Sequence, residues 1–247
     1  MRQKIVAANW KMNASKQTAD ALLKQIIPAA DNSPHRVIIC PPFPYLSQLK
    51  TAIGTSAVKA GAQNVNTEKQ GAFTGEVSAE MLLDFGVEYV IVGHSERRTL
   101  YGESNVLVAE KAAAAISAGL TPIICVGETL QERQNNQLEA VVEKQLGAVI
   151  DKLGIEQLAG VIIAYEPLWA IGTGKTASTE QAQAMHMFIR SKLAEQDADI
   201  AGNISILYGG SVNDQNAQTL FACNDIDGGL IGGASLNAAS FIKICHS

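Results

Sequence analysis

The feature that most restricts what this chain can fold into is an alternation that runs its whole length. Eight short apolar, β-branched runs are each followed by an Ala- and Leu-rich stretch with helical spacing. The runs are Ile5 to Asn9, Val37 to Cys40, Val58 to Ala62, Tyr89 to Val92, Thr121 to Val126, Gly160 to Ala164, Ile204 to Tyr208 and Ile226 to Ile231. Most are apolar at every position instead of every second one, the pattern of parallel strands covered on both faces. Helices are expected over Thr18 to Ile27, Ser104 to Ala118, Leu138 to Leu153, Thr179 to Glu195 and Asn237 to Cys245, several opened by a Ser, Thr or Asn cap. Eight βα units in 247 residues match the size of a closed (β/α)8 barrel. An open dinucleotide-binding sheet is disfavoured, because the first strand runs into Asn9-Trp10-Lys11-Met12-Asn13 with no Gly-x-Gly-x-x-Gly. No low-complexity tract or long linker interrupts the pattern. The expectation is one α/β domain over residues 1–247, a closed barrel of eight parallel strands.

Composition removes several classes of partner. A formal net charge of −5, spread along the chain, offers no basic footprint for nucleic acid and no polybasic face for a membrane. The apolar stretch behind Met1-Arg2-Gln3-Lys4 is far shorter than a signal-peptide core, and no run approaches the ~20 residues of a membrane span. A cytoplasmic protein with small soluble partners is expected. Cys40, Cys125, Cys223 and Cys245 form no CxxC pair, so they read as buried free thiols and not as a zinc site or disulfide framework.

In a (β/α)8 barrel the segments after the strands build one shared face. After the first run come Asn9 and Lys11, after the fourth Gly93-His94-Ser95-Glu96, after the sixth Glu166, after the seventh Gly209-Gly210-Ser211, and after the eighth Gly232-Gly233. Two near-motifs fail. Arg97 stands where a nucleophile elbow around Ser95 needs glycine, and Trp169 stands where the first glycine of a P-loop ending at Gly174-Lys175-Thr176 should be. The glycine pairs suit a phosphate cradle, since backbone N–H groups can approach an anion where no Cβ intervenes and a following helix start adds positive potential. No cluster of Asp, Glu or His has metal-ligand spacing. A carboxylate, an imidazole and an ammonium facing a phosphorylated molecule suit proton abstraction beside a carbonyl.

Several spaced motifs in order, AANWKMN at 7–13, TGEVSAEML at 74–82, VIVGHSERR at 90–98, AYEPLWAIGTGKTAS at 164–178, YGGSV at 208–212 and IGGASL at 231–236, resemble the triosephosphate isomerases over essentially the whole chain. The resemblance implies the TIM barrel and interconversion of dihydroxyacetone phosphate and D-glyceraldehyde 3-phosphate, in glycolysis and gluconeogenesis, with neither cofactor nor metal. It implies Glu166 as the base and His94 as a neutral electrophile at the start of a short helix near Ser95, a pattern of pKa tuning general to such enzymes. Lys11 and Asn9 would stabilise the enediolate and bind substrate, with Ser95 and Glu96 in support. The Gly172 amide would join Ser211, Gly232 and Gly233 on the phosphate. A lid would run from the hinge Pro167-Leu168-Trp169 through Ala170, Ile171, Gly172, Thr173 and Gly174 to the hinge Lys175-Thr176-Ala177. Leu168 replaces the family's common valine, a change that bears on lid opening and not on the reaction.

The same resemblance implies a homodimer whose loop Phe73-Thr74-Gly75-Glu76 reaches the neighbour's Asn9 and Lys11. Read without the resemblance, the residues leave two alternatives: a phosphosugar aldolase forming a Schiff base on Lys11 or Lys175, and a barrel that only binds phosphorylated metabolites.

Overall fold

A computed structural model describes residues 2–170 and 176–247. Its eight strands are β1 (Ile5–Asn9), β2 (Arg36–Cys40), β3 (Lys59–Ala62), β4 (Tyr89–Val92), β5 (Thr121–Val126), β6 (Ile162–Tyr165), β7 (Ser205–Tyr208) and β8 (Gly228–Ile231). All pairings are parallel, each strand with the next, and β1 pairs with β8 to close the barrel. The expected fold is the observed one, with small differences of boundary. β6 starts two residues later than expected because Ile155–Gly160 is a 3-10 turn, and Ser104 and Asn237 are helix caps. Short helices at Leu46–Ile53, Ala79–Asp84, Leu130–Gln134, Ala198–Asn203 and Ala217–Phe221 carry too few turns to produce a clear periodic signal.

The continuous apolar character of the strands has a direct cause. Ile5, Ala7, Ile38, Cys40, Ile91, Ile123, Cys125, Ile162, Ala164, Leu207 and Leu230 fill the barrel interior. Their sequence neighbours, such as Val6, Ala8, Val90, Val92, Ile163 and Ile206, pack outward with the helices in a second cluster. Side chains alternate along a strand, so both parities must be apolar when both faces are covered. Closure requires one close approach. Gly228 has φ +125°, and a Cβ there would overlap the Ile5 carbonyl oxygen, so only glycine lets β8 meet β1 at this point.

The inward register also fixes what stands at the C-terminal mouth. Two residues beyond Ala7 is Asn9, beyond Cys125 is Gly127, beyond Ala164 is Glu166, beyond Leu207 is Gly209, and beyond Leu230 is Gly232. The barrel therefore ends in a ring of polar and small residues. Among the described residues no helix is long and apolar enough to cross a membrane. All four cysteines are free; Cys40, Cys125 and Cys245 are buried as expected, whereas Cys223 is half-buried because it lies in the turn after the short helix Ala217–Phe221.

His186, on the helix Thr179–Ala194, is wholly buried, and burial pulls its pKa from 6.5 down to about 4. The unfolded chain therefore binds a proton that the folded chain refuses as pH falls through this window. Stability associated with the neutral ring is complete above pH 6.5 and declines toward pH 4, by an amount on the order of 3 kcal/mol. Urea unfolding of the wild type and His186→Phe at pH 7 and pH 4.5 should show the wild type losing more, by roughly 2 kcal/mol or above. Equal losses would mean that the ring is protonated as easily in the folded protein as in the unfolded chain.

Candidate active site

Glu166 follows β6 directly and is 2% exposed. A side chain of this size can point into the mouth only because its neighbours have none. A Cβ on Gly127, beyond β5, would overlap the Glu166 carbonyl oxygen, and one on Gly209, beyond β7, would come within 2.8 Å of Glu166 Cγ. Gly127 thus makes room for the Glu166 main chain and Gly209 for its side chain, and neither is spared for an anion. Gly233 is different: nothing lies within 4 Å of where its Cβ would stand, so that backbone faces open space. It opens the 3-10 turn Gly233–Leu236, whose first amides have no partner within the turn. The positive potential expected after β8 thus comes from free amides of a short turn, not from a long helix.

The carboxylate oxygens are both engaged. His94 Nε2 donates to Oε1 at 2.9 Å and the Ser95 N–H donates to Oε2 at 2.8 Å. His94 caps the helix Ser95–Tyr101, and its Nδ1 accepts the Glu96 N–H at 3.2 Å. That bond occupies the Nδ1 lone pair, so the proton of the neutral ring belongs on Nε2, which makes Nε2 the donor.

The two groups tune each other. Burial raises the Glu166 carboxyl, but His94, through the charge it carries when protonated and through its hydrogen bond, together with the Ser95 N–H and the Cys125 thiol, outweighs it and holds the group below its usual range. Burial lowers His94, whereas the adjacent Glu166 charge and hydrogen bond lift it above its usual value. The lift comes from contact with the carboxylate and is absent whenever Glu166 moves away.

Lys11 sits past β1 with φ +53°, a strained value for a side chain of its kind. Three hydrogen bonds hold it there. Its N–H donates to Asn9 Oδ1 at 3.0 Å, Gln63 Nε2 donates to its carbonyl at 3.0 Å, and its ammonium donates to Glu96 Oε1 at 2.6 Å. Asn9, Lys11, His94, Glu166, Ser211, Gly232 and Gly233 all line one cavity of about 470 Å³. Ser211 Oγ donates to the Ala170 carbonyl at 2.7 Å, which leaves its N–H as the group free to meet a ligand. Among the described residues, no three His, Cys, Asp or Glu converge as a metal site.

A profile of one protein family, described as triosephosphate isomerase, matches residues 4–247. A triosephosphate isomerase of Thiobacillus denitrificans is 59% identical over 247 residues, covering 100% of this chain and 99% of the relative. That of Ruthia magnifica is 55% identical over 247 residues and covers 100% of both chains. That of Alcanivorax borkumensis is 55% identical over 250 residues, covering 100% of this chain and 98% of the relative. The chain belongs to the triosephosphate isomerase family.

Most of the side chains that the sequence assigns to a triosephosphate isomerase site therefore converge in one cavity. Ile171, Gly172, Thr173, Gly174 and Lys175 lie outside the described residues. Phe73, Thr74, Gly75 and Glu76 are exposed and line no part of this cavity, while Pro167 and Leu168 begin the turn beside it. The sequence reading passed over Gln63, Gly127 and Glu128. Glu128 is wholly buried and accepts from Tyr165 Oη at 3.0 and 3.1 Å, Trp169 Nε1 at 3.0 Å and Arg133 Nη1 at 3.1 Å. Its carbonyl also accepts the Leu168 N–H at 3.0 Å. Reading the polar residue after every strand, including the third and fifth, would have found Gln63 and Glu128.

Free amides and an ammonium around one cavity predict that it binds inorganic phosphate. Phosphate should raise the thermal midpoint of the wild type more than that of Lys11→Met, approaching about 2.7 kcal/mol of stabilisation at a hundredfold excess over Kd. Equal rises in the two proteins would leave only the general salting effect of the anion.

Proposed function

We infer that this protein interconverts dihydroxyacetone phosphate and D-glyceraldehyde 3-phosphate by moving one proton between adjacent carbons through an enediol(ate). The observation that carries this reading is the buried Glu166 carboxylate in hydrogen-bond contact with a neutral-tautomer imidazole, on a cavity with an ammonium and free amides. It is supported by the full-length similarity to triosephosphate isomerases.

The roles follow from what each group can still do. Glu166 is the base. Its oxygens must leave His94 Nε2 and Ser95 N–H to reach a substrate carbon, and losing those donors raises its basicity in a dry cavity. His94 Nε2–H, released from Glu166, donates to the substrate carbonyl and strengthens that bond as the oxygen becomes negative. Lys11 supplies positive charge to the enediolate and phosphate, held by Glu96. Asn9 has committed its Oδ1 to the Lys11 N–H, so its amide NH2 is the part that can meet a substrate oxygen. Gly232, Gly233 and the Ser211 N–H receive the phosphate; the assigned Gly172 lies outside the described residues.

The segment from Pro167 to Ala177 is assigned as a lid on the strength of the resemblance. Its described start is tied to Glu128 through Leu168 and Trp169 and to Ser211 through Ala170. Covering the intermediate has a chemical purpose, because an enediol phosphate exposed to water can expel its phosphate. A Schiff-base aldolase is less well supported: the Lys11 ammonium is ion-paired at 2.6 Å, the reverse of the desolvated amine that such chemistry needs.

The enzyme works as a homodimer in the cytoplasm, in glycolysis and gluconeogenesis. Support for assembly comes from a second cavity of about 370 Å³ that shares Asn9, Lys11 and His94 with the first and has walls of Met12, Phe43, Leu100 and Tyr101. Met12 is 95% exposed in the single chain, as are most of Leu100 and Tyr101. A neighbour's Phe73-Thr74-Gly75-Glu76 loop would cover them and press on Lys11.

Following D-glyceraldehyde 3-phosphate in deuterium oxide tests the chemistry. Conversion to dihydroxyacetone phosphate with deuterium on carbon is expected, and Glu166→Gln should lower kcat by several powers of ten with modest change in KM. A near-normal kcat would show that another group takes the proton. Thr74→Arg places a charge in the proposed interface, so monomers with most activity lost are expected in sedimentation and turnover measurements. A fully active monomer would separate catalysis from assembly.

A further inference from the structure

His186 takes no part in the chemistry above, yet it stands directly behind it. Its side chain is wholly buried between the helix Thr179–Ala194 and the strands. Nδ1 lies 2.8 Å from the Ala182 carbonyl, one turn earlier on the same helix, so Nδ1 carries the proton. Nε2 makes no well-formed hydrogen bond, although the Leu207 backbone lies close enough to act on the ring, so the contacts that define the ring's place are chiefly aromatic.

What it stacks on is specific. The His186 ring meets Tyr165 edge-on, with centroids 5.7 Å apart and planes at 89°, and meets Tyr208 at 6.1 Å and 46°. These tyrosines end β6 and β7 and are register partners across the sheet. Because side chains alternate, both point outward to His186 while the next residues, Glu166 and Gly209, turn into the cavity. The Gly209 N–H donates to the Tyr165 carbonyl at 2.7 Å, which locks the two strand ends together at this level. Tyr165 Oη in turn holds Glu128, the acceptor of the Trp169 indole N–H, three residues after Glu166. A shift of the Tyr165 ring therefore moves both the root of the carboxylate and the anchor of the turn that follows it.

We propose that His186 is a positioning residue for Glu166: an aromatic wedge that sets the Tyr165 and Tyr208 rings and, through them, the strand-end backbone carrying the base. The proposal rests on the reading of Glu166 as the base. It makes the helix packing behind the barrel part of the geometry of proton transfer, where a misplacement of about 1 Å can cost a hundredfold in rate.

The test compares His186→Leu, which fills space without a ring, with His186→Phe, which restores one, at a temperature well below each variant's unfolding midpoint. His186→Leu should lower kcat by about tenfold with KM within about twofold, and should release a larger share of triose phosphate as inorganic phosphate. His186→Phe should recover kcat to within about threefold. Normal kcat in His186→Leu, or equal impairment in the two variants, overturns the proposal. If His186→Leu does not fold, His186→Gln serves the same comparison. A second readout is independent of turnover: in a Trp10→Phe background, Trp169 emission should change with His186→Leu and be restored by His186→Phe. Unchanged emission overturns the positioning role. Absence of isomerisation by the unmodified protein would instead overturn the functional reading, and Trp169 emission would still decide this one.

Discussion

Closure of β8 onto β1 is the constraint from which the rest of the molecule follows. An open sheet has edges and lets successive strands slip in register, whereas a closed one fixes which residues face inward at every level. Here closure passes through Gly228, whose backbone lies against the Ile5 carbonyl in a conformation open to glycine. Once the register is fixed, the layer above the apolar interior has no freedom of composition by position. Asn9, Gly127, Glu166, Gly209 and Gly232 come to the mouth because they lie two residues beyond inward-facing Ala7, Cys125, Ala164, Leu207 and Leu230. The layer that lines the mouth is thus the last layer of the core, continued with polar and small residues.

That origin explains the division of labour among the glycines. Those beside Glu166 are demanded by protein atoms: Gly127 leaves room for the Glu166 backbone carbonyl and Gly209 for its side chain. Gly233 has no such neighbour and leaves its backbone exposed to the cavity. The sequence shows glycine in each place with equal clarity, but it carries no sign of which is spatial and which is for a ligand. Only the register, by placing Gly209 beside Glu166, separates the two.

Legibility in the sequence follows the same physics. Long periodic helices such as Leu138–Leu153 and the fully apolar strands were readable because burial on two faces leaves a pattern over many residues. Short helices of one or two turns were not, since five or six residues fix no period. Among site residues, Glu166 and His94 stood out as polar groups following apolar runs. Glu128 stands one residue further past its strand, after Gly127, and its partners Tyr165, Trp169 and Arg133 are brought to it by tertiary structure and leave no local trace. His186 is harder still: in sequence it is one polar residue on a helix, and its wedge between two tyrosines appears only when β6 and β7 lie side by side.

The electrostatics of Glu166 join these strands of argument. A carboxylate in a dry cavity without donors would take up a proton and cease to be a base at neutral pH. Donors from His94 and Ser95 keep it ionised, but a carboxylate bound so firmly is also a weak base. The conflict is resolved if substrate competes for the same donors. A carbonyl oxygen that takes the His94 Nε2–H removes from Glu166 one of the hydrogen bonds that lower its pKa, and burial then acts unopposed by that contact. In the proposed mechanism, basicity rises when the carbon acid arrives, in the same step that polarises the carbonyl. The requirement is geometric: one imidazole proton must be within reach of either acceptor, which is why the backbone that carries Glu166 has to be fixed from behind as well as from within the cavity.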